Sequence, residues 1–326
     1  MKRLQRCMET LALSGALALG LLPCASAATW PDKPITIVVP YSPGGATDAI
    51  ARLVGQHMSE RLHQPVIIEN KAGASSNIGM GYVAKARADG YTLLLCANSI
   101  VTNNSLFSSL PFDGLRDFAP VGQIASASLV VTVPIDSKMD SFQQLLKEAR
   151  ENPGKLTYAS AGNGSSSHLA GKSLKHAAHI DVLHVPYKGA APAIADLIGG
   201  RISFMTMNTI EITPYVKGHR VKMLAVAAPE RIEQYPDLPT VEESGLPNYV
   251  ESVWFGLAAP AGTPADVIER LNSTLQAVIT EPAMKKRLVD MGATPRPGSA
   301  AQFSEFLHQE RARIKQVIAS AHIKPN

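Results

Sequence analysis

The chain has 326 residues, of which 45% are hydrophobic, and its 31 Lys and Arg against 27 Asp and Glu give a formal charge of +4. Length and apolar content suffice for two domains of ordinary size. Without the first 27 residues the counts fall to 28 and 26, a charge of about +2, which is too near neutral to favour a nucleic-acid partner.

Residues 1–27 have the pattern of a cleavable signal peptide. A basic start with Lys2 and Arg3 precedes an apolar core at residues 11–22, and Ala25-Ser26-Ala27 provides a cleavage site. The core is shorter than the ~20 apolar residues of a membrane-spanning helix. We therefore expect export to the periplasm.

The cysteines fit an exported protein without internal disulfides. Cys7 and Cys24 would leave with the signal peptide, and Cys96 would remain alone in an apolar strand pattern. Lipidation at Cys24 is the alternative reading of the N-terminus, and Pro23 directly before it fits that alternative poorly. Cys96 is interpreted as a small core residue.

Strand and helix patterns alternate along the rest of the chain, which is typical of an α/β fold with parallel sheets. Strands are predicted at residues 35–39, 66–69, 92–96, 121–124, 129–133, 156–160, 183–185, 202–207, 223–227 and 253–258. Helices are predicted after Asp48, Ser76, Ser141, His168 and Gly189, and three further helices fill the chain from residue 263 onward. This helical tail is expected to pack back onto the first lobe.

The loop after the first strand has the composition of an anion site. Two glycines directly precede a helical pattern, so backbone N–H groups are unshielded and the helix start adds roughly half a positive charge. The alternative is an ordinary strand–helix turn. Asp48 is expected to accept hydrogen bonds from loop amides or to organise waters. The candidate contacts are Tyr41, Ser42, Gly44, Gly45, Ala46, Thr47 and Asp48.

A second loop repeats this design 120 residues later. It follows the strand at 156–160 and precedes the helix at His168, and its hydroxyl and amide groups suit a carboxylate. His168 either adds a charge-assisted contact or fixes the loop. The candidates are Ser160, Ala161, Gly164, Ser165, Ser166 and His168. Two such sites far apart in the chain suggest two lobes that close on one ligand.

Other polar residues follow predicted strand ends and could line the same cleft. Tyr187 and Asn208 are candidates beside the second loop, and Ser75 and Asn98 are candidates beside the first. Lys188 is either a cleft residue or a solvated turn residue.

Motifs along nearly the whole exported chain resemble the Bug family of extracytoplasmic solute-binding proteins, the TctC-type receptors of tripartite tricarboxylate transporters. The two loops carry the clearest of them, Pro43-Gly44-Gly45-Ala46-Thr47-Asp48 and Ser160-Ala161-Gly162-Asn163-Gly164-Ser165. The others lie at residues 30–35, 69–74, 88–93, 184–189, 238–240, 254–257 and 260–264. Their order and spacing, more than any single motif, carry the resemblance.

The resemblance implies a two-lobed periplasmic binding protein of type II (Venus-flytrap), with parallel-rich sheets flanked by helices. It implies a small organic anion, a mono- or dicarboxylate, held between the two loops largely by backbone groups and waters. The membrane subunits of a tripartite tricarboxylate transporter would be the partners, and a monomer is expected. The lobes would comprise residues 28–126 with 251–326, and residues 127–250.

Two other functions remain open at this stage. One is a sensor that presents the same ligand to a signalling partner. The other is a secreted serine hydrolase that uses Ser165 or Ser166 with His168, although no acid is placed behind the histidine. No cofactor and no metal are expected, because Ser167 replaces the last glycine of a dinucleotide fingerprint and no set of metal ligands stands out.

Overall fold

The computed structural model describes residues 30–320. The predicted signal peptide lies outside the described residues. All helices and strands named below lie in one compact unit that begins at residue 33.

Ten strands in the described part of the chain form one mixed sheet. They are β1 (Ile35–Val39), β2 (Val66–Asn70), β3 (Thr92–Cys96), β4 (Phe118–Pro134), β5 (Thr157–Ser160), β6 (Leu183–Pro186), β7 (Phe204–Asn208), β8 (Val221–Val226), β9 (Ser252–Pro260) and β10 (Thr294–Pro295). The order along the sheet is β2-β1-β3-β9-β4-β7-β5-β6, and β8 and β10 also pair with β4.

The strands before the two candidate loops pair in parallel, as predicted. β1 lies between β2 and β3, and β5 lies between β6 and β7, with parallel register in all four pairs. Ile37, Val38 and Val39 are fully buried, as a central strand of a covered sheet requires. Both loops therefore leave the carboxyl end of a parallel strand, where open α/β sheets bind ligands.

The long strand β4 joins the two halves of the sheet. Its first part, up to Ser128, pairs with β9, and from Leu129 onward it pairs with β7 and β8. The two separate strands predicted here, at 121–124 and 129–133, are therefore wrong. The small residues between them weaken the apolar pattern, but the ladder continues because the pairing partners change without a break.

We call β1–β3, β9, β10 and the first part of β4 the first lobe, and β5–β8 with the rest of β4 the second lobe. The chain passes between the lobes in β4 and again just before β9. The limits predicted from the sequence for the lobes stay a prediction.

Ten α-helices cover the sheet in the described residues. They are α1 (Ala46–Leu62), α2 (Asn77–Ala84), α3 (Ser99–Leu106), α4 (Phe142–Glu151), α5 (Ser166–Ala177), α6 (Ala190–Ile198), α7 (Thr209–Lys217), α8 (Ala265–Thr280), α9 (Pro282–Asp290) and α10 (Ala300–Ser320). The sequence analysis did not predict α3 or α7. Helix α3 is rich in β-branched residues and Asn, and α7 contains Pro214, all poor helix formers.

The C-terminal helix α10 packs on the first lobe, as predicted. Phe303 and Phe306 on α10 meet the Trp254 ring of β9 edge-on, with centroid distances of 5.8 and 5.4 Å. Trp254 and Phe303 are almost fully buried. Gly256 on β9 leaves room for the Phe303 ring, because a Cβ atom at residue 256 would lie 2.3 Å from the Phe303 Cζ atom.

We expect Gly256→Ala to lower the free energy of unfolding by about 1–3 kcal/mol, because it overpacks the contact between β9 and α10. Denaturant unfolding of the purified protein measures this. Gly81→Ala in α2 is the control, since its new Cβ atom would meet only ordinary contacts at 3.7 Å or more. Equal stability of the Gly256 variant and the wild type would contradict this packing.

Candidate functional site

A small cavity lies between the lobes, next to the two candidate loops. Its volume is about 30 Å³, room for roughly two water molecules. Its polar wall consists of Tyr41, Ser42, Thr47, Asn98, Ser165, Ser166, Ser167, Asn208 and Glu211. Gly45, Ala97, Ala161, Ala190 and Phe255 complete the lining.

Five helices begin at this cavity. Their N-cap residues are Gly45 for α1, Asn98 for α3, Ser165 for α5, Gly189 for α6 and Asn208 for α7. The first N–H groups of a helix have no acceptor within it, and each helix start carries roughly half a positive charge. The backbone alone therefore gives the cavity a positive potential that attracts anions.

The first loop is held by the carboxylate of Asp48. Its Oδ2 atom accepts from Gly44 N at 3.1 Å and from Arg52 Nε at 3.0 Å. Its Oδ1 atom accepts from Arg52 Nη2 at 3.0 Å and from Asn70 Nδ2 at 2.9 Å. Asp48 therefore points away from the cavity and accepts a loop amide, which matches the role expected for it.

The hydrogen bonds also set the charge of Asp48. Burial alone would raise its pKa, but the bonds from Arg52, Gly44 and Asn70 outweigh burial and hold the pKa below the ordinary value of 3.8. Gly45 itself is extended (φ −84°, ψ 174°) and has no side chain that could cap α1. Among these five residues, Gly45 is the one that lines the cavity.

The second loop is held by neutral groups. Ser165 Oγ accepts from His168 N at 3.3 Å and donates to Gly162 O at 2.6 Å. His168 Nδ1 accepts from Gly164 N at 3.2 Å. Gly164 has φ +80°, and a Cβ atom there would lie 2.1 Å from Asn103 Oδ1, so only glycine fits.

His168 thus fixes the loop from behind. Burial lowers its pKa to about 3, helped by the neighbouring His184 ring, so the imidazole is neutral. It lies outside the cavity lining and is 4% exposed. The Ser165 hydroxyl donates to a carbonyl oxygen rather than to the imidazole, so the pair lacks the nucleophile–base bond of a serine hydrolase.

Two hydrogen bonds join the lobes beside the cavity. Ser42 Oγ in the first loop donates to Lys188 O in the second lobe at 2.8 Å. Ala46 N, the first amide of α1, donates to Glu211 Oε1 on α7 at 3.0 Å. Residues of both lobes therefore enclose the cavity.

Glu211 is a residue that the sequence analysis missed. It stands three positions after the N-cap residue Asn208, whose Oδ1 atom accepts from Glu211 N at 3.0 Å. This spacing is half of a capping box and could have predicted α7. The Glu211 side chain does not accept from the Asn208 backbone N–H, as in a full capping box. Its Oε2 atom accepts from the Asn208 side chain, and its Oε1 atom accepts from Ala46 N of α1.

The structure brings nine of the predicted contact residues together around the cavity. They are Tyr41, Ser42, Gly45, Thr47, Asn98, Ala161, Ser165, Ser166 and Asn208. Besides Glu211, the lining adds Ala97, Ser167, Ala190 and Phe255, which lie beside predicted residues or on an opposing strand. Small and apolar residues of this kind carry no sequence signal of binding.

Eight predicted contacts lie off the lining, and three of them are held by other partners. Ser160 Oγ contacts His184 Nε2 at 2.7 Å, Tyr187 OH donates to Asp196 Oδ2 at 2.6 Å, and Ser75 O accepts from Asn103 Nδ2 at 2.7 Å. The other five are Gly44, Ala46, Asp48, Gly164 and His168, which shape the two loops from behind or donate across the lobes. Ligand contact by these eight stays a prediction.

We expect Asp48→Asn to lower the free energy of unfolding at pH 7 by about 1–3 kcal/mol, because the variant loses charge-assisted acceptors. The wild-type contribution is fully present above pH 3.8, since the folded pKa is lowered, and is lost as pH falls through that lowered pKa. Urea unfolding between pH 7 and pH 3 should show the gap between the two proteins shrinking at the acid end. The exposed Asp136→Asn is the control, and a gap that persists unchanged at pH 3 would contradict this role.

Residues 30–320 contain no group of three or more His, Cys, Asp and Glu side chains placed to hold a metal ion. None of the described helices is long and apolar enough to cross a bilayer.

The chain is similar over nearly all of its length to known binding proteins. Residues 50–323 match the tripartite tricarboxylate transporter family receptor, TctC. A protein from the tcbD-tcbE intergenic region of Pseudomonas sp. (strain P51) is 39% identical, over 91% of this chain and 89% of its own.

Solved structures give the same result. R. palustris Rpa4515 with adipate is 34% identical, with a TM-score of 0.89, 91% of this chain covered and 100% of that chain. The periplasmic binding protein BugD is 32% identical, with a TM-score of 0.87 and the same coverage. The matched family and these neighbours are binding proteins rather than enzymes. The chain therefore belongs to the TctC receptor family of periplasmic solute-binding proteins, the Bug proteins.

Proposed function

We propose that this protein captures a small organic carboxylate between its lobes in the periplasm and delivers it, as a monomer, to the membrane subunits of a tripartite tricarboxylate-type transporter. The observation that carries the proposal is the convergence of five helix starts on one interlobe cavity. A relative of similar fold was solved with adipate, a dicarboxylate. A mono- or dicarboxylate is therefore the ligand class to test.

The donors for such a ligand come from both lobes. Ser166 and Ser167 open α5, and Thr47 lies in the first turn of α1, so their amides have no acceptor within the helices. Hydroxyl groups of Ser42 and Tyr41 add polar atoms on the first-lobe side. Waters can bridge the remaining distances at little cost.

The membrane subunits would recognise the closed arrangement of the two lobes. A ligand that bonds to α1 in one lobe and α5 in the other stabilises the closed arrangement, because only that arrangement brings both helix starts to the same group. The Phe255, Ala97 and Ala190 side chains then exclude water from one wall of the cavity.

Ser166→Pro should weaken carboxylate binding about tenfold or more, because proline removes the first amide of α5. Proline is tolerated at this first helical position, and Ser165 already has the extended conformation (φ −71°, ψ 160°) that a following proline requires. Ser166→Ala is the matched control, since it keeps the amide and should bind within about threefold of wild type.

Calorimetry with adipate and shorter mono- and dicarboxylates, after stripping carried-over ligand, measures these affinities. Ser166→Pro that unfolds like wild type and binds with unchanged affinity would contradict a role for this amide. A carboxylate panel that binds to neither the wild type nor the variants would contradict the proposed function itself.

Delivery to a transporter needs a separate test in cells. A strain that lacks this protein should lose uptake of the carboxylate identified by calorimetry and regain it on complementation with wild type. Complementation with Ser166→Pro should restore uptake only at higher external concentrations. Unchanged uptake in the deletion strain would instead favour a sensory role.

A further inference from the structure

Glu211 is the one charged side chain on the cavity wall among the described residues. Its Oε1 atom accepts from Ala46 N at 3.0 Å, and its Oε2 atom accepts from Asn208 Nδ2 at 2.6 Å. These two donors come from opposite lobes and fix the carboxylate in place. It occupies the start of α1, a position where a ligand carboxylate would otherwise be expected.

No side chain of the described chain neutralises this carboxylate. Within residues 30–320, no Lys or Arg nitrogen lies within 4 Å of it. On α1, Asp48 is paired with Arg52, and Lys188 before α6 contributes its carbonyl oxygen to the lobe contact. The positive potential of the helix starts is thus shared between Glu211 and whatever ligand enters.

We propose that Glu211 determines which ligand charge the site accepts: the protein binds acids with one carboxylate and a hydrogen-bond donor, such as an amide or ammonium group, in preference to dicarboxylates. This inference rests on the proposed function, because it assumes a ligand in this cavity. The ligand carboxylate then faces the amides of α5, and the donor faces Glu211.

Hydrogen-bond capacity supports this arrangement. An ionised carboxylate has about four lone-pair sites, and Glu211 uses two of them for Ala46 and Asn208. A ligand amide or ammonium group can donate to the others, and the bond is charge-assisted. A second ligand carboxylate at the same place would meet a like charge with no cation between them, which disfavours binding.

Protonation of Glu211 should also make ligand affinity depend on pH, which is a second, independent test. Burial raises its pKa to about 7, against the lowering effect of the bonds from Ala46 and Asn208. Tyr41, which faces Glu211 from the end of β1, has a raised pKa, and His168 on α5 and Asp48 on α1 have lowered ones, so none of them changes charge near pH 7. Glu211 is therefore the group of this cavity whose charge changes between pH 6 and pH 8.

The test compares each dicarboxylate with its own half-amide, adipate with adipamate and succinate with succinamate, by calorimetry on the purified protein. Of the two half-amides, the one that binds the wild type more tightly at pH 8 should have an affinity about tenfold or more higher than that of its matching dicarboxylate. Glu211→Gln should abolish or reverse this preference. Glu230→Gln, at an exposed position, is the control and should keep it.

The pH arm uses the wild type itself, so it does not depend on the variant folding. Dicarboxylate affinity should rise as pH falls from 8 to 6, with proton uptake on binding, because Glu211 becomes neutral. The half-amide should bind no more tightly at pH 6 than at pH 8, because its bond to ionised Glu211 is charge-assisted, and Glu211→Gln should show little pH dependence with either ligand.

Three results would overturn the proposal. The first is wild type that binds the dicarboxylates as tightly as their half-amides at pH 8. The second is a Glu211→Gln variant, folded by circular dichroism, that keeps the wild-type preference. The third is a panel in which neither ligand type binds, which would overturn the proposed function as well.

Discussion

The constraint on which the site depends is that the first amides of a helix must find acceptors outside it. Loops after β1, β3, β5 and β7 all end in helix starts, and the sheet order directs those starts to one cavity. The result is a positive potential built from the backbone, and none of the described residues that line the cavity is cationic. Such a site binds an anion without the long, flexible side chains whose ordering would oppose binding.

Because the two lobes share one mixed sheet, the geometry of the site depends on how the lobes are placed relative to each other. Strand β4 pairs with β9 up to Ser128 and with β7 and β8 from Leu129, so the two lobes share a continuous strand near the point where pairing changes. Because α1 and α3 follow strands of the first lobe and α5, α6 and α7 follow strands of the second, neither lobe forms the site alone. If the lobes open and close as we propose, a change of angle at this junction would assemble or separate the donors.

Features of the site that depend on local residue type and spacing could be predicted from the sequence, whereas contacts that depend on how the two lobes meet could not. The two glycine-rich loops, their parallel strands and the capping role of Asp48 follow from residue type and spacing, and the structure has them where predicted. The cavity contacts of Ala190, Phe255 and Glu211 depend on how the lobes meet, which no local pattern encodes. The small residues in the middle of β4 interrupt its apolar pattern, so the sequence did not predict one continuous strand. The role of His168 in fixing the second loop follows from its hydrogen bond with Gly164 N, which the sequence does not reveal.

The two loops differ in how they are prepared for a ligand, and the difference bears on the energy of binding. Asp48 holds the first loop with an ionised acceptor, and His168 holds the second with a neutral one. Bonds within the chain therefore order both loops, so ligand contacts need not offset the cost of ordering them. The lobes already meet through Ser42 and Lys188 and through Ala46 and Glu211. A ligand must therefore bind beside these contacts or replace them, and its affinity includes the cost of any contact that it breaks.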